Sequence, residues 1–499
     1  MNFSTEDLRQ LKRLGIDPAH ANRQITLLRT GQIDIKLERP CIVGDGINQL
    51  QPAATTRLQK AFVKAAAAGR LRRFVPASGA ASRMFSQLQA ARNSAPGGPI
   101  AADLLAFLDN LDKFAFYADL QKAMAEDGQE LARAVADHDL PLIIRYLLDP
   151  CGLGYALLPK GLLAFHNAAD GARTPFIEHL AEAALLSGLD SDVDLHFTVS
   201  PEHLPLFRAQ LSAWLKTLEE TYGCHFRVTY SEQKPSTDTL ALDDSGQPLR
   251  DADGQLFLRP GGHGALIENL NDLNADILLI RNIDNVVPDV RKQTNLHWTR
   301  LLTGHLLEIQ EEQHALLKAL QNQPDDPMVR ELAISFLADR LQTDVSLSSD
   351  NEALIKTLDR PIRVCGMVPN SGEPGGGPFW VRNEQGRMTR QIVEASQIDK
   401  SDPEQAAILS QSTHFNPVDM VCAVRNWQGR PYDLTRFVND NAVLVTTKHQ
   451  GEREIRVLEL PGLWNGGMAA WHTLFVEIPP EAFNPVKTVF DLLRPAHQG

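Results

Sequence analysis

Leu71-Arg72-Arg73-Phe74-Val75, running into Pro76-Ala77-Ser78-Gly79-Ala80-Ala81-Ser82-Arg83-Met84, is the stretch that decides how this chain reads. Leu71 to Val75 predicts a short strand, and the loop of small residues after it opens onto a helical pattern that starts near Phe85. Just upstream, Thr56 to Ala68 is built from alanine and other good helix formers. It stops at Gly69-Arg70, where glycine ends the helix and a cation sits near its negative pole. A strand, a small-residue loop and a helix in that order are one unit of an α/β sheet.

The same alternation recurs outward from this stretch. Val193 to Val199 alternates apolar and polar residues, and Ser200-Pro201 then opens a helix with the apolar stripe Leu204, Phe207, Leu211, Trp214, Leu215 and Leu218. A further strand is expected at His225 to Tyr230. Asp276 to Ile283 is apolar enough for a central strand buried on both faces, and it runs into Asp284-Asn285, at the carboxyl end where open α/β sheets bind ligands. Residues 85–150 read as a helical insertion broken at Ser94 to Gly98, and residues 296–345 as a second helical excursion. Strands return at Pro361 to Val368, Ala442 to Thr447 and Leu474 to Ile478. The expected organisation is an N-terminal helical segment (1–70), an α/β core (71–295) with the helical insertion inside it, the helical excursion (296–345) and a C-terminal α/β part (346–499).

Composition narrows the function classes. The 499 residues are 43% apolar, enough for a large core, and the formal net charge of −13 lacks the concentrated basic footprint that nucleic-acid binding needs. The polar, acidic start (Met1 to Asp7) is unlike a signal peptide, and no stretch has the apolar length of a spanning helix, so a cytoplasmic protein without membrane contact is expected. Five scattered cysteines, Cys41, Cys151, Cys224, Cys365 and Cys422, suit a reducing compartment and offer no zinc spacing. No H-E-x-x-H, G-x-S-x-G or G-x-x-x-x-G-K-[ST] motif occurs.

Four short stretches have the residue types of a phosphate site. Ala77, Ser78, Gly79, Ala80, Ala81 and Ser82 carry side chains too small to keep a polyphosphate from backbone N–H groups at a helix start, with Arg83 beside them as a cation. An ordinary strand-to-helix turn has the same composition. Leu157-Leu158-Pro159-Lys160-Gly161 holds an ammonium between apolar anchors, which can bind phosphate as a point charge or stay solvated beside a turn. Gly261, Gly262, His263 and Gly264 make a backbone able to lie flat against a planar ring, or a plain loop. Asp284 offers a hard oxygen to Mg²⁺ past a buried strand, or caps that strand. Glycine-rich segments at Asn370 to Pro378 and Pro461 to Met468 suit the rim of a polar-ligand pocket or plain loops, and Glu373, Asn465 and Lys487 are the candidate acceptor contacts.

Taken in order, these motifs resemble the sugar-phosphate nucleotidyltransferases, or nucleotide-sugar pyrophosphorylases. Ser82-Arg83-Met84 matches the end of that family's opening glycine signature, with Ser78 and Ala81 standing where the signature has glycine. Pro159-Lys160 with Leu162-Leu163 is similar to its Pro-Lys motif, and Thr174-Pro175 with Glu178-His179-Leu180 to the helix start that follows. Pro260 to Gly264 and Asn282 to Asn285 resemble the base-contacting loop and metal-binding aspartate of the UTP-dependent branch, and as a whole the chain is most similar to an uncharacterised bacterial family related to it. The resemblance implies a glycosyltransferase-A-like α/β fold, a mixed sheet with flanking helices and helical insertions. It also implies Mg²⁺-dependent coupling of an NTP, UTP favoured, to a sugar 1-phosphate or similar phosphate monoester with release of pyrophosphate. Arg83 and Lys160 would act on the phosphates, residues 77–82 and 261–264 on the nucleotide, and Asp284 on the metal. Two alternatives are a non-catalytic nucleotide or nucleotide-sugar binder and a glycosyltransferase, whose Asp-x-Asp motif Asp251-Ala252-Asp253 spells inside a stretch that reads as a solvated hairpin.

Overall fold

In the computed structural model, residues 3–92, 101–343, 350–370, 372, 375–382, 386–450 and 453–498 are described. The expected break at Ser94 to Gly98 lies outside them. The chain divides into two compact units, each assembled from separated stretches: Met1–Arg72, Ser231–Ile280 and Thr299–Pro480 form one, and Arg73–Tyr230, Arg281–Trp298 and Glu481–Gly499 the other. This differs from a partition read along the chain. The stretch expected to be an N-terminal helical segment also carries the strands Leu37–Pro40, Ile42–Val43 and Gly46–Asn48, and the last residues join the unit of Arg73 rather than the preceding C-terminal part. The physical reason is that a domain is closed by burial of apolar surface, which follows space and not chain order.

The first unit is α/β with mixed strand directions, as the sequence predicts. Its mixed sheet has the strand order Ile42–Val43, Gly46–Asn48, His472–Glu477, Ile362–Pro369, Asp419–Ala423 and Ile277–Arg281. Ile362–Pro369 runs parallel to His472–Glu477 and antiparallel to Asp419–Ala423. Ile277–Arg281 is buried at every position, which explains its continuous apolar run. Two antiparallel sheets lie beside it in this unit: Leu37–Pro40 with Gly376–Arg382 and Met388–Glu394, and Leu258–Arg259 with Thr239–Leu242, Arg453–Glu459 and Leu444–Gln450. Gly376 and Gly377 thus belong to a strand and not to the loop their composition suggests. A Cβ at Gly376 would fall 2.6 Å from Ile392, and one at Gly377 2.9 Å from the ring of Phe379, so the glycines allow close side-chain packing.

The second unit carries Leu71–Pro76 parallel to Asp192–Thr198, with His225–Ser231 next in order. The helix Leu204–Tyr222 closes at Gly223, whose φ of 60° is the left-handed cap that glycine adopts without strain. Helices Ser86–Arg92, Ala102–Asp109, Tyr117–Glu126, Leu131–Ala136 and Leu140–Leu148 make up the expected insertion. Their apolar faces bury Phe85, Phe107, Phe116 and Leu147 in one core that also takes Val486, Val489 and Leu492 of the C-terminal stretch. Burial of such side chains contributes about 1.5–3 kcal/mol each, which anchors that stretch on the insertion.

Candidate functional site

Where Leu71–Pro76 ends, Ala77 N donates to the Thr198 carbonyl at 2.8 Å, so the loop leaves the sheet from a fixed point. Its far side is held by the segment around Lys160: Lys160 N donates to the Gly79 carbonyl at 3.1 Å and Ala81 N to the Leu158 carbonyl at 3.4 Å. Between those ties Ser78, Gly79 and Ala80 are exposed, and their N–H groups donate to no group among the described residues. Ala77 and Ala81 point into the core, so the methyl group of Ala81 is turned away from the exposed rim. Gly79 has open space where a Cβ would stand. Ser82 and Arg83 are also exposed.

Lys160 follows Pro159 into a single 3-10 turn, Lys160–Leu162. Its ammonium donates to Asp284 Oδ2 at 2.9 Å and to the Val486 carbonyl at 2.8 Å. Lys487 donates to the same Oδ2 at 3.1 Å. Two cations therefore share one carboxylate oxygen, and the cluster keeps an excess positive charge. Asp284 is only 7% exposed. Burial alone would raise its pKa, but Lys487 and Lys160 outweigh it and hold the carboxyl below its ordinary range. The Lys487 side chain is half exposed. Lys487 N and Thr488 N both donate to Asp491 Oδ2, at 2.8 and 2.7 Å, which fixes the backbone that presents this lysine.

Asp284 Oδ1 accepts no hydrogen bond among the described residues. Mg²⁺ is commonly held by one or two carboxylates together with substrate phosphates, and Asp284 Oδ1 is the oxygen that this cluster could offer to it. Among the described residues no group of three or more His, Cys, Asp or Glu side chains is placed to hold a metal.

The glycine stretch 261–264 belongs to the other unit and is built differently. A Cβ at Gly261 would lie 2.5 Å from the Thr237 carbonyl oxygen, and one at Gly264 2.3 Å from that of Pro461. Gly262 has φ of +78°, where glycine is favoured. His263 stacks on Trp464 with centroids 4.4 Å apart, and its Nδ1 accepts from Leu463 N at 3.2 Å. Burial lowers its pKa to about 4, so the ring is neutral at physiological pH. Nearby, Asn465 Nδ2 reaches Gln397 Oε1 at 3.2 Å and Glu394 Oε1 at 3.4 Å. Glu373 lies outside the described residues.

The structure thus brings Lys160, Asp284 and Lys487 together, although Lys487 was expected among the acceptor contacts. Reading the sequence missed the Val486 carbonyl and Asp491, and placed Trp464 only within the Pro461–Met468 rim segment without its stacking on His263. A signal for Asp491 was present, since Thr488 followed three residues later by an acid spells a capping box. The Asp251-Ala252-Asp253 stretch is a hairpin turn in which Asp251 Oδ1 accepts from Asp253 N and Gln255 N.

A family model described as "Domain of unknown function (DUF4301)" matches residues 4–498. The chain belongs to this family. No curated protein matches it. Among solved structures, this DUF4301 chain is similar to the uridine diphosphate N-acetylglucosamine pyrophosphorylase of Trypanosoma brucei in complex with inhibitor. The identity is 11%, over 99% of this chain and 85% of that one, with a TM-score of 0.49. It is also similar to the UDP-glucose pyrophosphorylase of Leishmania major, at 12% identity over 99% and 79% with a TM-score of 0.45, and to the UDP-glucose phosphorylase of Trypanosoma brucei, at 13% over 98% and 77% with a TM-score of 0.45. No helix among the described residues is long and apolar enough to cross a membrane.

Proposed function

We propose that this chain is a nucleotidyltransferase in which a phosphate monoester, of the sugar 1-phosphate class, attacks the α-phosphorus of an NTP, UTP favoured. A bond forms between the monoester oxygen and the α-phosphorus, the bond to the β-phosphate oxygen breaks, and pyrophosphate leaves with the electron pair. The observation that carries this reading is the sharing of Asp284 Oδ2 by Lys160 and Lys487 beside a loop of small residues with open N–H groups. The attacking oxygen is already anionic, so the reaction needs positioning and charge neutralisation rather than a general base.

Lys160 and Lys487 would hold phosphate oxygens, the N–H groups of Ser78, Gly79 and Ala80 would cradle the polyphosphate, and exposed Arg83 would add charge at its edge. Mg²⁺ held by Asp284, once phosphates complete its ligand set, would supply further charge neutralisation.

The test is pyrophosphate release by the purified full chain with Mg²⁺, each common NTP and a pool of sugar 1-phosphates. Release is expected with one NTP and to fall about 10²-fold or more in Lys160→Ala, the loss typical of one preorganised charge-stabilising group. Undiminished rates in both Lys160→Ala and Arg83→Ala would overturn the assignment. Asp284→Asn should raise the Mg²⁺ concentration needed for half-maximal rate, and an unchanged titration would reduce Asp284 to a structural partner of the two lysines. Nucleotide binding with no pyrophosphate release from any pair would favour the non-catalytic binder.

A further inference from the structure

The helix Pro175–Ser187 is buried along nearly its whole length, yet it carries Glu178 and Glu182, which are 1% and 0% exposed. Buried carboxylates persist only where cations and hydrogen bonds compensate them. Glu182 Oε1 accepts from Arg281 Nη1 at 2.6 Å and from Arg73 Nη2 at 2.8 Å. Glu178 Oε2 accepts from Lys292, a fully buried ammonium that also reaches the Val287 carbonyl at 2.9 Å and Asp289 Oδ1 at 2.7 Å. The two glutamates stand four apart, one above the other on one face of the helix. Arg281 and Lys292 are the two ends of the segment whose interior holds Asp284.

Between the carboxylates a third tie forms. Arg73 Nη1 lies 3.2 Å from His179 Nδ1, and because a guanidinium only donates, that nitrogen must carry the lone pair. Nε2 is then the protonated nitrogen, and it donates to the Asn282 carbonyl at 3.2 Å. The segment beyond Arg281 is stitched in turn to the C-terminal stretch. Arg281 Nη2 donates to the Ala482 carbonyl at 3.3 Å, Asn484 N to Asn285 Oδ1 at 3.0 Å, and Val486 N to the Asp284 carbonyl at 3.1 Å. The helix, the Asp284 segment and the stretch that presents Lys487 form one continuous chain of contacts.

We propose that Glu178, His179 and Glu182 are positioning residues that set Asp284 and Lys487 around Lys160. The proposal deepens the phosphate-site reading and rests on it for its purpose, but not for its test. The test is competitive acetylation of the full chain with acetic anhydride, with Lys487 quantified by mass spectrometry against Lys216, whose side chain is 86% exposed. Lys487 of the parent should be protected relative to Lys216 by its bond to Asp284. In folded Glu182→Gln its labelling should rise about two- to fivefold, the factor expected for loss of a solvent-facing ion pair. Asp284→Asn should give the same rise, and the double variant no more. Should Glu182→Gln fail to fold, His179→Leu decides, because it keeps both carboxylates and their ion pairs while removing the imidazole's ties to Arg73 and to the Asn282 carbonyl. Unchanged Lys487 labelling in a folded Glu182→Gln, or in His179→Leu where that variant decides, overturns the proposal. No step of this experiment depends on turnover or a bound ligand, so its failure is separate from the absence of pyrophosphate release.

Discussion

Residues 77–82 and 261–264 have similar compositions and opposite physical causes. At Gly79 a Cβ would meet nothing within 4 Å and the backbone has no positive φ, so the protein itself places no demand for glycine there. At Gly261 and Gly264 a Cβ would collide with carbonyl oxygens of the chain's own backbone. The first loop is open toward solvent, whereas the second is closed on its own unit. Small residues that leave room for a ligand and small residues that leave room for the chain look alike in a sequence, and only neighbours distant in sequence tell them apart.

The contrast can be broken by substitution. Gly264→Ala places a methyl carbon 2.3 Å from the Pro461 oxygen and should cost about 3 kcal/mol, read as a fall in the urea unfolding midpoint. A midpoint equal to the parent's would mean that the second loop is as open as the first.

A pH series sharpens the same difference. His263 has its folded pKa lowered to about 4 by burial, against an unfolded value near 6.5, so the unfolded chain binds more protons between those values. Its contribution to stability is therefore complete above about pH 6.5 and declines as pH falls toward 4. His263→Gln should flatten the loss of stability over that window in parallel urea titrations, and coincident pH slopes would remove His263 from the account. Gly79→Ala should have the smallest effect, a change under about 0.5 kcal/mol in the same measurement. A loss of 2 kcal/mol or so would show that residues 77–82 are also closed by their own chain.

Much of the fold was legible because it is written in local pattern. Leu71–Pro76, Asp192–Thr198 and Ile277–Arg281 follow strand signals within a residue or two, and the insertion helices follow their apolar periodicity. The strands Gly376–Arg382 and Asp419–Ala423 were not legible. The former opens on two glycines and a proline, and Pro378 joins its neighbours only as an acceptor, through its carbonyl to Cys41 N at 2.9 Å. Lys160 and Asp284 were legible as candidates from Pro-Lys and the strand end. Their direct bond, and the arrival of Lys487 on the same oxygen, were not.

By itself the sequence determined the α/β class and the small-residue loop after Leu71–Pro76, because backbone propensity and apolar period are local properties. The tertiary structure alone decided that Ala81 faces the core, that Gly261 and Gly264 serve packing, and that Glu178 and Glu182 grip the two ends of the Asp284 segment. Those facts depend on which distant groups burial forces together, and a buried charge takes whichever partner the closing core brings within reach.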